Sequence, residues 1–293
     1  MEILDIAVTG RKSLVLPWEE IQIIPLGDIQ LGAQGVDKER LRGYIEWGLA
    51  QGNVYFLGMG DYIDVMSAGN RQAYRSVRLY DSVRNAMQEK AQGLVEEFLK
   101  LMKGSEGRWL GILEGDHLFE FEDGSTSDTR IAQGLGTSYL GNCAMIGLSF
   151  RRANTKTTMR CVLWAHHGAG GGLTPHAPLL RLVQVMRDFE ADIYLIGHQH
   201  KKPVLKHPRI YLSEKPPYRL VAKNKILAGT GGFFQGYQQG SVLPSGRPGG
   251  SYVEKRMLPP VALGSVVVKI RPVWSGNRKG RPSQSRLDLS VEV

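Results

Sequence analysis

Five short stretches constrain this chain more than any other feature: Gly27-Asp28-Ile29-Gln30, Gly60-Asp61-Tyr62-Ile63-Asp64, Gly115-Asp116-His117, His166-His167-Gly168 and Gly197-His198-Gln199-His200. Each sets a carboxylate, amide or imidazole beside a glycine. Each follows an apolar run, at 21–26, 54–57, 109–113, 161–165 and 193–196, that reads as a buried strand. Open α/β sheets build their sites at the carboxyl ends of strands, so five strand ends offering such side chains should converge. Oxygen and imidazole donors without cysteine suit one or two divalent cations. The pattern specifies a metal site.

The rest of the first 200 residues reads as strands alternating with helices. Strands are expected near 21–26, 53–58, 108–113, 142–151, 157–165 and 192–196, and helices near 37–50, 74–103, 126–134 and 177–190. Within the last helix Leu179, Leu182, Val183 and Met186 share one face, as in a helix packed on a sheet. Such alternation means a layered α/β fold. Beyond residue 200 the character changes to strands at 204–212, 225–228, 261–270 and 287–293, separated by segments rich in glycine and proline at 231–236 and 244–250. No internal repeat or extended linker divides the chain, so 1–293 is read as a single domain with a sheet-rich C-terminal part over 201–293.

Composition sets broad bounds. At 293 residues with 42% hydrophobic and 22% charged side chains, the chain can bury a sizeable core. No apolar stretch reaches the roughly 18 residues of a spanning helix, so no membrane partner is expected. The N-terminal residues lack the basic-then-apolar layout of a secretory signal, which makes the cytoplasm the expected location. The two cysteines, Cys143 and Cys161, fall inside expected strands and away from the five motifs. The 37 basic and 28 acidic residues leave a net charge of +9, which fits a polyanionic partner such as nucleic acid. The densest basic cluster spans 275–281. Arg71, Arg75 and Arg78 stand at helical spacing just past Asp64, where they face either solvent or a phosphodiester backbone.

The order and spacing of the five motifs, spread over about 170 residues, resemble the calcineurin-like metallophosphoesterase superfamily. The resemblance covers roughly residues 20–235. It departs from the usual pattern at Gln30, where the family has histidine, and at Asp116, where it has asparagine. It implies a central β-sandwich flanked by helices, holding two divalent metal ions. Asp28, Gln30, Asp61 and His200 would surround one ion; Asp61, Asp116, His198 and one of His166 or His167 would surround the other. Asp61 would bridge them, and Asp64 would orient its neighbours. Glycine after the histidine favours His167, while alternation of side chains along a strand argues that the two do not bind equally.

Gln30 and His200 each lie two residues from a proposed ligand, so an extended backbone would aim both members of each pair to one side. Exchanging an imidazole for an amide makes the first ion's shell harder, which favours manganese or magnesium over zinc, manganese first, with iron and zinc also within the donor set's reach. The resemblance further implies hydrolysis of a phosphate ester by in-line attack of a metal-bridging hydroxide, with His117 assisting the leaving oxygen. The basic charge and the arginine face, with Arg71 and Arg75 as substrate contacts, favour a phosphodiester, nucleic acid included. A phosphomonoesterase shares every catalytic residue. A metal-poor binding module is the reading from a different class, raised by Gln30 and Asp116.

Overall fold

The computed structural model describes residues 10–66, 80–213, 216–238, 240, 245–247, 249–275 and 284–293. In chain order β1 is Gly10–Pro17 and β2 Ile21–Leu26, followed by α1 at Lys38–Ala50 and β3 at Val54–Gly58. Then come α2 (Asp81–Leu101), β4 (Trp109–Leu113), α3 (Ser127–Gly134), β5 (Tyr139–Gly141), β6 (Cys143–Arg151) and β7 (Thr158–His166). Next are α4 (Ala177–Asp188), β8 (Ile193–Ile196), β9 (Val204–Leu212) and β10 (Leu220–Gly229). Last are β11 (Gly231–Gly232), α5 (Tyr252–Lys255), β12 (Gly264–Ser265), β13 (Val267–Ser275) and β14 (Gln284–Glu292).

The strands form two six-stranded mixed sheets, ordered β1-β6-β7-β8-β10-β9 and β14-β13-β2-β3-β4-β5, plus the small pair β11-β12. At the centre of the second sheet β2, β3 and β4 run parallel; in the first, β7, β8 and β10 do. Strands covered on both faces favour apolar side chains throughout, which is why β4 and β8 read as unbroken apolar runs and β2 is broken only by Gln22. Period-two alternation then divides each run between two cores. Ile23, Leu57, Leu110, Leu163 and Leu195 fill the layer between the sheets. Their neighbours Ile24, Phe56 and Ile112 instead meet Leu41, Leu94, Phe98 and Ile131 from α1, α2 and α3. On the far side Trp164, Tyr194 and Leu227 meet Leu182 and Met186 of α4, with Leu179 and Val183 packed at the edge. The layered sandwich flanked by helices expected from the sequence is thus the fold observed.

Several elements differ from expectation. β1 was not anticipated: it opens on Gly10-Arg11-Lys12-Ser13 and pairs along one edge, parallel to β6, with Val15 66% exposed. β5, three residues beside β4, is too short for a periodic signal. The expected strand at 261–270 is split into β12 and β13, and β10 begins five residues before the expected 225. Arg71, Arg75 and Arg78, the start of the expected 74–103 helix and most of the basic 275–281 cluster lie outside the described residues. No helix among the described residues is long and apolar enough to cross a membrane.

Candidate metal centre

The five motifs sit at the carboxyl ends of β2, β3, β4, β7 and β8, two of these in the first sheet and three in the second. The candidate site therefore closes one end of the inter-sheet layer. Backbone bonds stitch the loops together: Asp28 N–H donates to the Gly60 carbonyl at 3.0 Å, and both Ile29 and Gln30 N–H donate to that of Asp61 at 2.9 Å. Glycine is required where these loops meet. A side chain at Gly115 would lie 2.0 Å from the Asp61 nitrogen, and one at Gly60 would lie 2.6 Å from His167 Nδ1.

Asp28, Gln30, Asp61, His198 and His200 all have φ between 49° and 66°. Among the described residues only Asn154 and Met257 are the other non-glycine residues in that left-handed region. Each such residue costs on the order of 1–3 kcal/mol, and such strain gathers where function over-determines the backbone. This corrects the expectation of extended backbone at Gln30 and His200. The chain turns at Asp28, Gln30, Asp61, His198 and His200, and the two histidines of Gly197-His198-Gln199-His200 reach different partners.

One group forms around Asp61. Asp61, His167 and His198 each bring a donor atom within 4.8 Å of the others, close enough to share a cation. His167 Nε2 stands 3.4 Å from Asp61 Oδ2 and 3.9 Å from Asp116 Oδ2, and His198 Nδ1 stands 3.1 Å from Asp116 Oδ2. His167 Nδ1 lies 2.7 Å from the Met59 carbonyl, which fixes the ring and turns Nε2 toward the carboxylates. Burial alone would lower the His167 imidazole, but Asp61 beside it, with Asp28 and Met59, raises it to about 10. Burial likewise acts to raise Asp61, and His167 and His117 outweigh it, holding the carboxyl well below its usual range. The bond from His198 is the largest influence on half-exposed Asp116 and lowers it, while Asp116 raises His198.

A second group forms around Asp28. His200 Nε2 lies 3.5 Å from Asp28 Oδ1, and the His198 N–H donates to Asp28 Oδ2 at 2.8 Å. Here burial dominates: it raises Asp28 and lowers His200, so both are driven toward their neutral forms. Gln30, 1% exposed, is a polar neighbour of the Tyr252 phenol and acts to lower its pKa, against the burial that raises it.

Three buried polar atoms in the two groups, Asp28 Oδ1, Gln30 Oε1 and His167 Nε2, have no hydrogen-bond partner. The 3.4 Å approach of His167 to Asp61 pairs their charges but lacks hydrogen-bonding geometry. Orphaned buried polar atoms call for an explanation, and carboxylate, amide and imidazole donors fit divalent cations. His117 stands beside the Asp61 group. Its N–H donates to Asp61 Oδ1 at 2.8 Å, its Nε2 lies 3.6 Å from Asp61 Oδ2, and its Nδ1 lies 3.2 Å from Asp64 Oδ2. A cavity of about 240 Å³ opens next to it, lined also by Val65, Met66, Leu118 and Phe119.

Of the two adjacent histidines, His167 joins the Asp61 group. His166 does not: its Nδ1 accepts the Gly168 N–H at 2.7 Å, and its ring stacks on Trp164. Three further residues at the site belong to none of the five motifs. Asp128, in the first turn of α3, is 1% exposed and accepts the Gly115 N–H at 2.9 Å, anchoring the loop of Asp116 and His117. Phe234 meets His200 edge to face at 6.3 Å, and Tyr252 stacks on Phe234 at 5.6 Å. Asp128 could have been sought as an acidic residue in a first helical turn. The two aromatics lie 34 or more residues past the last motif, with no spacing signal.

No family model matches the chain, and no curated protein matches it. Among solved structures it is similar to a conserved uncharacterised protein from Streptococcus pneumoniae TIGR4, described as a predicted phosphoesterase. The two are 12% identical, with 92% of this chain and 98% of that chain covered and a TM-score of 0.31. So distant a likeness carries nothing about activity.

Proposed function

We propose that the protein is a metal-dependent phosphoesterase acting on phosphodiesters, nucleic acid among them. The observation that carries this reading is the gathering of Asp61, His167 and His198 within 4.8 Å of one another, beside buried acceptors that lack partners. Asp61, Asp116, His167 and His198 would hold one cation. Asp28, Gln30 and His200, with Asp61 shared, would hold the other. When bound, divalent cations supply Lewis-acid neutralisation of phosphoryl charge and lower the pKa of water.

The chain's own groups do the rest. Met59 and the carboxylates orient His167, and Asp128 holds the loop that carries Asp116 and His117. His117, tied by its backbone to Asp61 and with Asp64 Oδ2 3.2 Å from its Nδ1, is placed to reach a leaving oxygen and give it a proton. The cavity beyond His117 leaves room for the departing group. Diester preference draws its support from the +9 net charge, since each phosphate neutralised by a basic group favours a polyanion.

The test is a pair of assays on the metal-stripped protein with manganese restored, using bis-p-nitrophenyl phosphate and p-nitrophenyl phosphate. Manganese-dependent hydrolysis favouring the diester is expected. Full activity after exhaustive chelation would sink the metal reading. A monoester preference would move the substrate class without disturbing the site.

A further inference from the structure

The aromatic pair beside the Asp28 group has no role in the reading above. Phe234 is 5% exposed and edges against His200, at 6.3 Å between ring centroids and 73° between planes. Tyr252 lies nearly parallel to Phe234, at 5.6 Å and 16°, yet remains 40% exposed. A pair that served only the core would bury both rings. Here the inner ring is covered and the outer one is held out next to the candidate site.

The outer ring is also fixed in place. Ser251 caps α5, accepting the N–H groups of Val253 and Glu254, while the Glu254 carboxylate accepts the Ser251 N–H at 2.8 Å. The Ser251 hydroxyl donates to the Gly236 carbonyl, which ties α5 to the segment that carries Phe234. Val253 packs so closely on Gly236 that a side chain there would lie 2.6 Å from it. Gln30 and the carboxylates of Asp28, Asp61 and Asp64 are near enough to act on its phenol. Tyr252 thus stands beside the site with its ring backed by Phe234.

We infer that the Phe234–Tyr252 stack is the subsite for a planar base, so that the phosphate ester this centre acts on is nucleotidic. The inference rests on the phosphoesterase reading and narrows its substrate class. Every nucleobase has a π-face, and stacking on a protein aromatic is tolerant of base identity. A sugar phosphate or a phosphorylated aliphatic side chain offers no such face. Pre-fixing the ring through α5 and Phe234 also reduces the ordering that binding would otherwise cost.

The experiment compares two diesters with the same leaving group, thymidine 5′-(p-nitrophenyl phosphate) and methyl p-nitrophenyl phosphate, both with manganese. The wild-type protein should favour the thymidine ester. The thymidine-to-methyl ratio of kcat/KM should fall roughly ten- to hundredfold in Tyr252→Ala, the range that base–aromatic stacking supports. Tyr252→Phe, which keeps the ring and loses the phenol, should hold the ratio. A ratio unchanged in Tyr252→Ala, or lost equally in Tyr252→Phe, overturns the inference and leaves Tyr252 as a neighbour of Gln30.

Equilibrium dialysis of thymidine 5′-monophosphate and methyl phosphate against the manganese-loaded protein separates the two readings. Tighter nucleotide binding that Tyr252→Ala removes, without turnover of either ester, keeps the base subsite and rejects the hydrolase. Nucleotide binding no tighter than that of methyl phosphate overturns the base subsite, whether or not either ester is hydrolysed.

Discussion

The two halves of the candidate centre use similar side chains under opposite electrostatic regimes. Around Asp61, opposed charges stand 3.1–3.9 Å apart, and pairing outweighs burial: the carboxyls of Asp61 and Asp116 are lowered and the imidazoles of His167 and His198 raised. Around Asp28, one imidazole and one amide accompany a fully buried carboxyl, and burial wins, raising Asp28 and lowering His200. A charge without enough partners in a desolvated place is costly. The Asp61 half is therefore held in shape by the chain's own charges. The Asp28 half retains two orphaned oxygens, Asp28 Oδ1 and Gln30 Oε1, that a cation would satisfy.

The largest effect should come from the residue at the seam. Asp61 pairs with His167 and His117 through its side chain and accepts the His117 N–H. Asp61→Asn removes the charge that both proposed cations would share. Metal affinity should fall by more than the ~10–100-fold that loss of an orienting partner costs. Metal content after dialysis against manganese measures it. Retention of two ions per chain with near-native turnover would show that the halves do not meet at Asp61.

Next comes His117, which belongs to the Asp61 half by position but is not a proposed ligand. His117→Ala should slow an alkyl or nucleotide ester by roughly 10²–10⁴-fold, as loss of a general acid does. An activated nitrophenyl ester, whose anion departs unaided, should lose much less, and metal content should hold. Equal losses on both esters would reassign the residue to phosphate binding. Lost metal would place it among the ligands and enlarge the charged half.

The same contrast shows what could be read from the sequence. The ligand-bearing loops were legible because β2, β4 and β8 are buried at every position, leaving apolar runs, broken only by Gln22 in β2, that end at the motifs. Pairing between distant loops was not. Asp128 reaches Gly115 only because α3 packs behind β4, and Tyr252 comes to the site only through its stack on Phe234 and the tie of Ser251 to Gly236. The left-handed backbone at Gln30 and His200 also escaped, because alternation along a strand assumes an extended chain. β1 was missed since its apolar positions are confined to its last residues, on a sheet edge.

Asp128 tests the scaffold of the charged half. Burial raises its carboxyl to about 7, against the bonds from Gly115 and Ser127 that favour the ionised form, and the fields of Asp61 and Glu114 add to the rise. With a folded pKa above the unfolded value near 4, the folded state holds the proton more tightly. Stability from this group is greatest below about pH 4, declines as pH rises toward 7, and stays low above it. Asp128→Asn is neutral throughout and can still accept the Gly115 N–H. Its stability relative to wild type should therefore climb between about pH 4 and 7, by on the order of a few kcal/mol, and then level off. Urea unfolding of both proteins across that range gives the difference. A flat difference would mean that the carboxylate is not disfavoured where it lies.

The smallest effect, and the sharpest test of the under-filled half, belongs to Gln30. It lies beside the Tyr252 phenol and its Oε1 has no hydrogen-bond partner, so the oxygen is free to meet a cation. An amide oxygen is a harder donor than imidazole and suits manganese or magnesium, whereas imidazole suits zinc and iron. Gln30→His should therefore raise affinity for zinc and iron relative to manganese at the Asp28 half and leave the Asp61 half as it was. Competition of the three metals for the stripped protein, read as metal bound rather than as turnover, measures the shift. If Gln30 only steadies Tyr252, preference will not move. The Asp28 half would then rest on Asp28, His200 and the shared Asp61, three ligand residues where the Asp61 half has four.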